Sequence, residues 1–474
     1  MKELVSARRE IIAVLLLLAA GAALRFAALD RHSLWSDEFF TLRSIGALES
    51  PGALEEATPP LYFLLLKQWT AMAGATPARL RAFSALWGVG GLVLVWAAAR
   101  HRISAPAGLF ALTLTVFSPL HLAYSQEARA YAMVFALSTA SLWSAAELAD
   151  DSPNLASRCI AYLTATIALL YTHYWGLFIW AGGMLYVLLR SSKSRASAFR
   201  IVVVCLPAVA FLPYAASLAA TAATHTTPEF WTPPPSLKNL WDVAVAFTGA
   251  RFFVGGWLFS LGYVTPLVVA GFAPLWIAGL LAEDERSTRR WLLSALVSAL
   301  LLPFLLGYWM PQIFLAGRYT LAVYPAAIWL AARGWNLWPP LLRAVSAAAL
   351  TVALVAADAY YFTGYQKGNV KDAAELVTTI PAQQNTVLNT VLILPEYLRP
   401  QWNYYYRGTL PSIREAGMEE LEPKLASYER AVFVTLDVPN PVKDALDVRY
   451  RRIVERRYPA EFHLGLVVAV YRLD

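Results

Sequence analysis

Two adjacent carboxylates, Asp37 and Glu38, stand among aromatic residues in "LWSDEFFTL" (34–42), and a third acid, Glu127, precedes Arg129 and Tyr131 in "YSQEARAY" (124–131). His173 sits in "YTHYWG" (171–176), and "GRYTLAVYP" (317–325) supplies Arg318 and Tyr319. A carboxylate beside an apolar surface can act as a general base, taking a proton from a hydroxyl or amine as it attacks. Arginine supplies the complement: it stays charged, grips phosphate oxygens through a planar fork and stabilises a phosphate leaving group. Together the two residue types suit transfer of a group away from a phosphate.

The chain that must position these residues is far too apolar for a water-soluble enzyme. Of its 474 residues 58% are hydrophobic and 15% charged, with 17 Trp and 23 Tyr, and the mean hydropathy is +0.48. An apolar run of about 20 residues crosses the hydrocarbon as a helix, because lipid offers the backbone no hydrogen-bond partner. Several runs qualify, so the expected fold is an α-helical polytopic membrane protein. The formal charge of +7 does not point to nucleic acid, since many Arg and Lys residues flank apolar runs, as topology demands. Cys159 and Cys205 lie within or beside apolar segments and argue for neither a disulfide framework nor a metal site. Lys2, Arg8 and Arg9 before residues 11–29 would suit a signal peptide, but the many spans that follow favour an uncleaved first helix.

With Arg8 and Arg9 inside, the first helix exits near Asp30 and "LWSDEFFTL" falls outside. The segment 60–74 is short and contains Lys67 and Gln68, so it reads as an interfacial or re-entrant helix. Crossing there would put Arg100, His101 and Arg102 outside, against the positive-inside bias. Spans then follow at 82–99, 105–123, 130–148, 158–171, 176–190, 201–217, 257–281, 291–308, 319–333 and 341–360. The count is about eleven helices, with the N-terminus cytoplasmic and the C-terminus outside. Domain one is expected over 1–362. From 363 to 474 charges become frequent, and short β-rich runs alternate with helix-like stretches, which predicts a small α/β extracytoplasmic domain.

This topology gathers the polar motifs on one surface, where ionisable groups near hydrocarbon need a reason to be. Each has a plain structural alternative. Asp37 and Glu38 could solvate a loop or cap a surface helix. Glu127 and Arg129 could be an ion pair that closes a turn. His173 could belong to the aromatic belt, and Arg318 could anchor a helix among the headgroups. One rim collecting all of them by chance is the weaker account.

The ordered set "LWSDEFFTL", "TPPLYFLLL", "RLRAFSALWGVGGLVLVWAAAR", "SPLHLAYSQEARAYAM" and "GRYTLAVYP" resembles the bacterial glycosyltransferases of superfamily C related to protein O-mannosyltransferases and lipid A aminoarabinose transferases. The likeness covers about residues 1–335. It implies a polyprenyl-phosphate sugar donor, an inverting displacement at the anomeric carbon and a catalytic acid in the first outer loop. Carried over by position, Asp37 is the base and Glu38 its supporting partner. Glu127 matches a further acidic position, Arg129 follows it in the same motif, and Arg318 would grip the donor phosphate. Tyr131, His173, Tyr319 and Arg81 complete the expected donor or acceptor contacts. Related sequences commonly place a His or Lys just before the Pro-Pro pair; here the position is Thr58, so that phosphate or acceptor contact is either missing or supplied by Arg79, Arg81 or His173. The stretch 223–252 would be a lid over the lipid sugar or an interfacial loop with Trp231 and Trp241 in the headgroups.

The expected partners are a polyprenyl-phosphate-linked sugar, a protein, lipid or glycan acceptor, and membrane lipids, in the cytoplasmic (inner) membrane. No cofactor is certain, though Asp37 and Glu38 could hold a divalent cation. A transporter or lipid flippase is the competing class. Such proteins keep ionisable groups near the midplane and carry internal repeats, neither of which the sequence displays.

Overall fold

The computed structural model describes residues 2–47, 59–150, 154–192, 194–225, 234–249, 264–282, 286–310, 313–364, 369–384, 388–395, 398–413, 418–458 and 466–473. Thr58, Trp231 and much of the expected 223–252 loop lie outside the described residues. The chain divides into two compact units, one of Met1–Leu29 with Ser44–Thr363, the other of Asp30–Arg43 with Gly364–Asp474.

The first unit is helical. It contains α1 (Lys2–Phe26), the end of α2 (Ser36–Ala47), α3 (Leu61–Ala73), α4 (Pro77–Arg102), α5 (Ala105–Val116), α6 (Pro119–Ser125), α7 (Tyr131–Ala149) and α8 (Leu155–Leu170). There follow α9 (Gly176–Arg190), α10 (Arg195–His225), α11 (Leu237–Phe247), α12 (Val264–Leu281), α13 (Arg286–Leu296), α14 (Leu302–Leu306), α15 (Tyr324–Asn336) and α16 (Pro340–Thr363). A π-helical turn, Val297–Leu301, joins α13 to α14. Among the described residues five helices are long and apolar enough to cross a membrane. They are α4, α7, the Arg195–Ala216 part of α10, the Arg286–Leu306 run and α16. Of these α7 is the most enclosed by protein and α16 the least. At 13 residues, α3 is roughly 20 Å long, too short to span.

Local sequence explains several boundaries. Thr76, Ser104 and Ser118 each cap a helix that has proline in its first turn, accepting from Arg79 N (3.4 Å), Ala107 N (3.2 Å) and His121 N (3.3 Å). The third of these caps breaks the expected 105–123 span into α5 and α6, bent by 60°. At the other end of the spans the basic cluster is paired: Arg102 with Glu147 and Asp150, His101 with Glu147 at 3.2 Å, and Arg100 with Glu10 at 2.6 Å.

The helices α12 and α15 meet backbone to backbone. A Cβ on Gly279 would collide with the Leu330 carbonyl, and one on Gly334 with the Leu275 carbonyl. Arg333 seals the junction, donating to the carbonyls of Gly279 (2.7 Å) and Ala282 (3.2 Å). Gly334→Val is therefore expected to cost about 3 kcal/mol or more. Its readout is loss of the monodisperse peak in size-exclusion chromatography from detergent, with Gly46→Ala, which meets open space, as the unaffected control.

The second unit holds a five-stranded mixed sheet in the order β2-β1-β3-β5-β4. The strands are β1 (Thr390–Leu394), β2 (Ser412–Ile413), β3 (Arg430–Leu436), β4 (Arg451–Tyr458) and β5 (Leu466–Arg472). Strands β2, β1 and β3 run parallel, while β5 is antiparallel to both β3 and β4. Helices α17 (Val370–Gln384) and α18 (Arg399–Tyr405) cover one face, around Val377, Trp402, Val432 and Val468. Helices α19 (Met418–Leu425) and α20 (Pro441–Arg449) cover the other, around Leu421, Leu446, Phe433 and Tyr471.

On the α20 side Asp447 meets Lys443 (2.8 Å) and Arg452 (2.9 Å), while Glu455 meets Lys443 (3.4 Å) and Arg457 (2.9 Å). Burial opposes ionisation of both carboxylates, but these cations and the Tyr471 hydroxyl on Asp447 outweigh it and hold both below the ordinary range. A depressed folded-state value adds stability that is present above the unfolded value, about 4, and is lost as pH falls through the folded one. Hydrogen exchange of the full chain, corrected for intrinsic rates, should show α20 and β4 equally protected from pH 8 to 6 and losing protection below about pH 4. Asp447→Asn should remove part of that dependence.

Candidate active site

The centre of the first unit's polar cluster is the link 126–130 between α6 and α7. Arg129 N–H donates to the Glu127 carbonyl at 2.8 Å, closing a tight turn. The Arg129 carbonyl accepts from Ser84 on α4 at 3.1 Å. Since Ser84 gives its proton there, its 2.9 Å contact with Tyr62 on α3 must have Tyr62 as donor. At the other end the Gln126 amide donates to the carbonyls of Leu24 (2.9 Å), Arg25 (3.2 Å) and Ala27 (2.8 Å). Glu127 itself is buried, with 4% of its surface exposed.

Aromatic rings wall the cluster. Tyr131, at the start of α7, has its ring centroid 5.1 Å from Tyr124 and 6.0 Å from His173. His173 lies in the turn between α8 and α9, where its Nδ1 accepts from Trp175 N–H at 3.1 Å. Burial, helped by the charge of Arg129, pushes this imidazole down to about 3, so it is neutral at physiological pH. Its ring sits 4.3 Å from Tyr174 and 5.4 Å from Tyr319. Tyr319 also packs against Tyr174 at 5.8 Å and Trp175 at 5.7 Å.

Arg318 reaches this wall from a turn that only glycine makes easily: Gly317 has φ +80°, and its N–H donates to Thr320 Oγ1 at 2.9 Å. The Arg318 guanidinium carbon lies 5.9 Å from the Tyr131 centroid. The Tyr124 hydroxyl lies in the fields of both Arg318 and Glu127. Glu127, Arg129, Tyr131, His173, Arg318 and Tyr319 are thus brought into one cluster. The arrangement can hold an anion against two guanidinium groups and stack a ring on tyrosine faces.

Asp37 and Glu38 belong to the other compact unit, in the first turn of α2, where negative charge suits the helix dipole. The turn is held within that unit by Tyr405, whose hydroxyl accepts from Leu34 N–H at 2.7 Å, and by Gln401, which donates to Ser36 Oγ at 2.7 Å. Phe39 adds edge contacts to Tyr404 and Tyr405 at 5.4 and 6.5 Å. Glu38 is fully buried and its Oε2 accepts from Trp35 N–H at 3.3 Å, a capping role, while Asp37 is half-buried. Arg81, on α4, is buried and donates to the Leu29 carbonyl at 2.7 Å, capping the exit of α1. Among the described residues no group of three or more His, Cys, Asp and Glu side chains is placed to hold a metal ion. The pair Asp37 and Glu38 alone does not make up a full oxygen ligand set for a divalent cation.

Sequence reasoning did not single out Tyr62, Ser84, Tyr124, Gln126 or Tyr174. Their signal was present, since each lies inside one of the motifs quoted above, and Gln126 and Tyr174 stand directly beside the selected Glu127 and His173.

Helices of these lengths around a bent, polar link, followed in the chain by a small α/β unit, make a fold that solved structures share. The chain is similar in structure to ArnT from Cupriavidus metallidurans in the apo state, with 13% identity, a TM-score of 0.59, and coverage of 96% of this chain and 97% of that one. The same ArnT bound to undecaprenyl phosphate gives 14% identity and a TM-score of 0.52 at the same coverage. The oligosaccharyltransferase AglB from Archaeoglobus fulgidus, in complex with an inhibitory peptide and a dolichol-phosphate, gives 12% identity and a TM-score of 0.55 over 90% of this chain and 69% of that one. No family model and no curated protein sequence matches the chain.

Proposed function

We propose that this chain is an integral membrane glycosyltransferase that moves a sugar from a polyprenyl-phosphate donor to an acceptor on the outer face of the cytoplasmic membrane. The observation that carries the reading is the cluster of Glu127, Arg129 and Arg318 among tyrosines, with Glu127 and Arg318 buried and Arg129 half-buried, in a chain of this fold. Solved structures of similar fold hold undecaprenyl phosphate or dolichol-phosphate, which supports a lipid phosphate as the ligand.

In this reading Asp37 takes the proton of the acceptor hydroxyl or amine as it attacks the anomeric carbon. The bond to the phosphate oxygen breaks, the lipid phosphate leaves as an anion, and Arg318 and Arg129 stabilise it. A single displacement inverts the anomeric centre. Tyr131, Tyr319 and neutral His173 would orient the sugar and exclude water. The similar AglB is named an oligosaccharyltransferase, which favours group transfer over the transporter reading.

The test is transfer from a panel of radiolabelled polyprenyl-phosphate sugars by the purified protein, with and without chelator. Product formation supports the reading and identifies the sugar. Absence of transfer, together with absence of undecaprenyl phosphate binding, would overturn it.

A further inference from the structure

We propose that Gln126 and Tyr361 are positioning residues, which set the orientation of Glu127 and Arg129 from the far end of the membrane unit. The inference rests on the site proposed above. Gln126 is 7% exposed and directly precedes Glu127. Its amide nitrogen faces three carbonyls at the end of α1, and its Oε1 accepts from the Tyr361 hydroxyl at 3.0 Å. Carbonyls only accept and a tyrosine hydroxyl must here donate, so both ends of the amide are fixed.

The turn is therefore clamped on both sides. Gln126 fixes its entry, Ser84 with Tyr62 fixes the Arg129 carbonyl, and the Arg129 N–H to Glu127 carbonyl bond joins the two. With four successive residues held this way, the side chains of Glu127 and Arg129 have little freedom to redirect.

Tyr361 is one turn from Asp358 on α16, and Asp358 is 3% exposed with no hydrogen bond to either carboxylate oxygen. That carboxylate acts electrostatically on Arg25 of α1. Arg25 in turn donates to the Thr115 carbonyl (2.9 Å), the Val116 carbonyl (3.2 Å) and His121 Nδ1 (2.7 Å), which makes His121 a neutral Nε2–H tautomer. One face of α16 thus attaches to the corner from which α6 and the site turn emerge, by charge at Asp358 and by hydrogen bond at Tyr361. The last helix of the membrane unit controls a turn some 230 residues earlier.

A purely structural role would lower stability without acting through Arg129. The test is undecaprenyl phosphate affinity of the full chain in nanodiscs, read by tryptophan fluorescence, beside thermal unfolding. Tyr361→Phe and Gln126→Met should each weaken affinity about 5- to 10-fold, with the melting temperature within about 3 °C of wild type. In an Arg129→Met background Tyr361→Phe should have no further effect. The proposal is overturned if Tyr361→Phe binds as wild type while Arg129→Met is weakened, or if its effect persists undiminished in the Arg129→Met background. If Arg129→Met and Arg318→Met also bind as wild type, the site reading itself fails and takes this inference with it.

Discussion

Asp37→Asn is expected to lower the rate of sugar transfer by about 10²- to 10⁴-fold, the span associated with a positioned general base. The substitution keeps size and leaves the hydrogen bond from Thr41 Oγ1 to the Asp37 carbonyl (3.2 Å) untouched, so α2 should form as before. The capacity to take a proton goes, together with the charge that suits the helix N-terminus. The neighbouring acid makes the contrast. Glu38 is fully buried and spends one oxygen on Trp35 N–H, an interaction that glutamine reproduces, so Glu38→Gln should cost no more than about tenfold. Rates from purified variants, compared at equal amounts of folded protein, check both. Full activity in Asp37→Asn would remove this residue from the mechanism.

The second large effect is on the donor. Arg318→Met should weaken undecaprenyl phosphate binding by about 10- to 100-fold, because a charge-assisted hydrogen bond contributes about 1.5–3 kcal/mol. Arg318→Lys should recover only part of the loss, since an ammonium keeps the charge but cannot present the planar fork. Titration of the lipid phosphate in nanodiscs reads both variants. Equal affinity for all three proteins would remove Arg318 from donor binding.

How far the sequence reveals this molecule depends on which physical signal each element carries. Long apolar runs announce helices such as α4, α7 and α16, because length and hydropathy decide spanning. The bend between α5 and α6 was hidden inside one continuous apolar run; Ser118 and Pro119, a cap followed by a helix-starting proline, were its only mark. Helix α11 lies in a stretch read as loop, where prolines and exposed aromatics masked an amphipathic period. In the tail, β1, β3 and β5 follow β-branched runs, whereas β4 reads "RRIVERRY" and hides its strand behind arginines, as suits an exposed sheet edge.

The candidate site divides in the same way. Charged residues in apolar surroundings stand out in sequence, and Glu127, Arg129 and Arg318 were found so. The hydroxyl and amide groups that hold them, Tyr62, Ser84, Gln126 and Tyr361, have no periodicity and bond partners 22, 45 and 235 positions away, so only the folded chain reveals them. Asp358 was legible in principle, as an acid inside an apolar run of 24 residues. The expectation that Asp37 and Glu38 form part of an outer loop becomes, in the structure, the opening turn of a helix built with the tail.

The glycine contact between α12 and α15 bears on where a long isoprenoid chain can run. Two helices whose backbones touch at Gly279 and Gly334 leave no room between them at that level. If the donor is the lipid phosphate of the proposed function, its tail runs elsewhere in the bundle than through this contact.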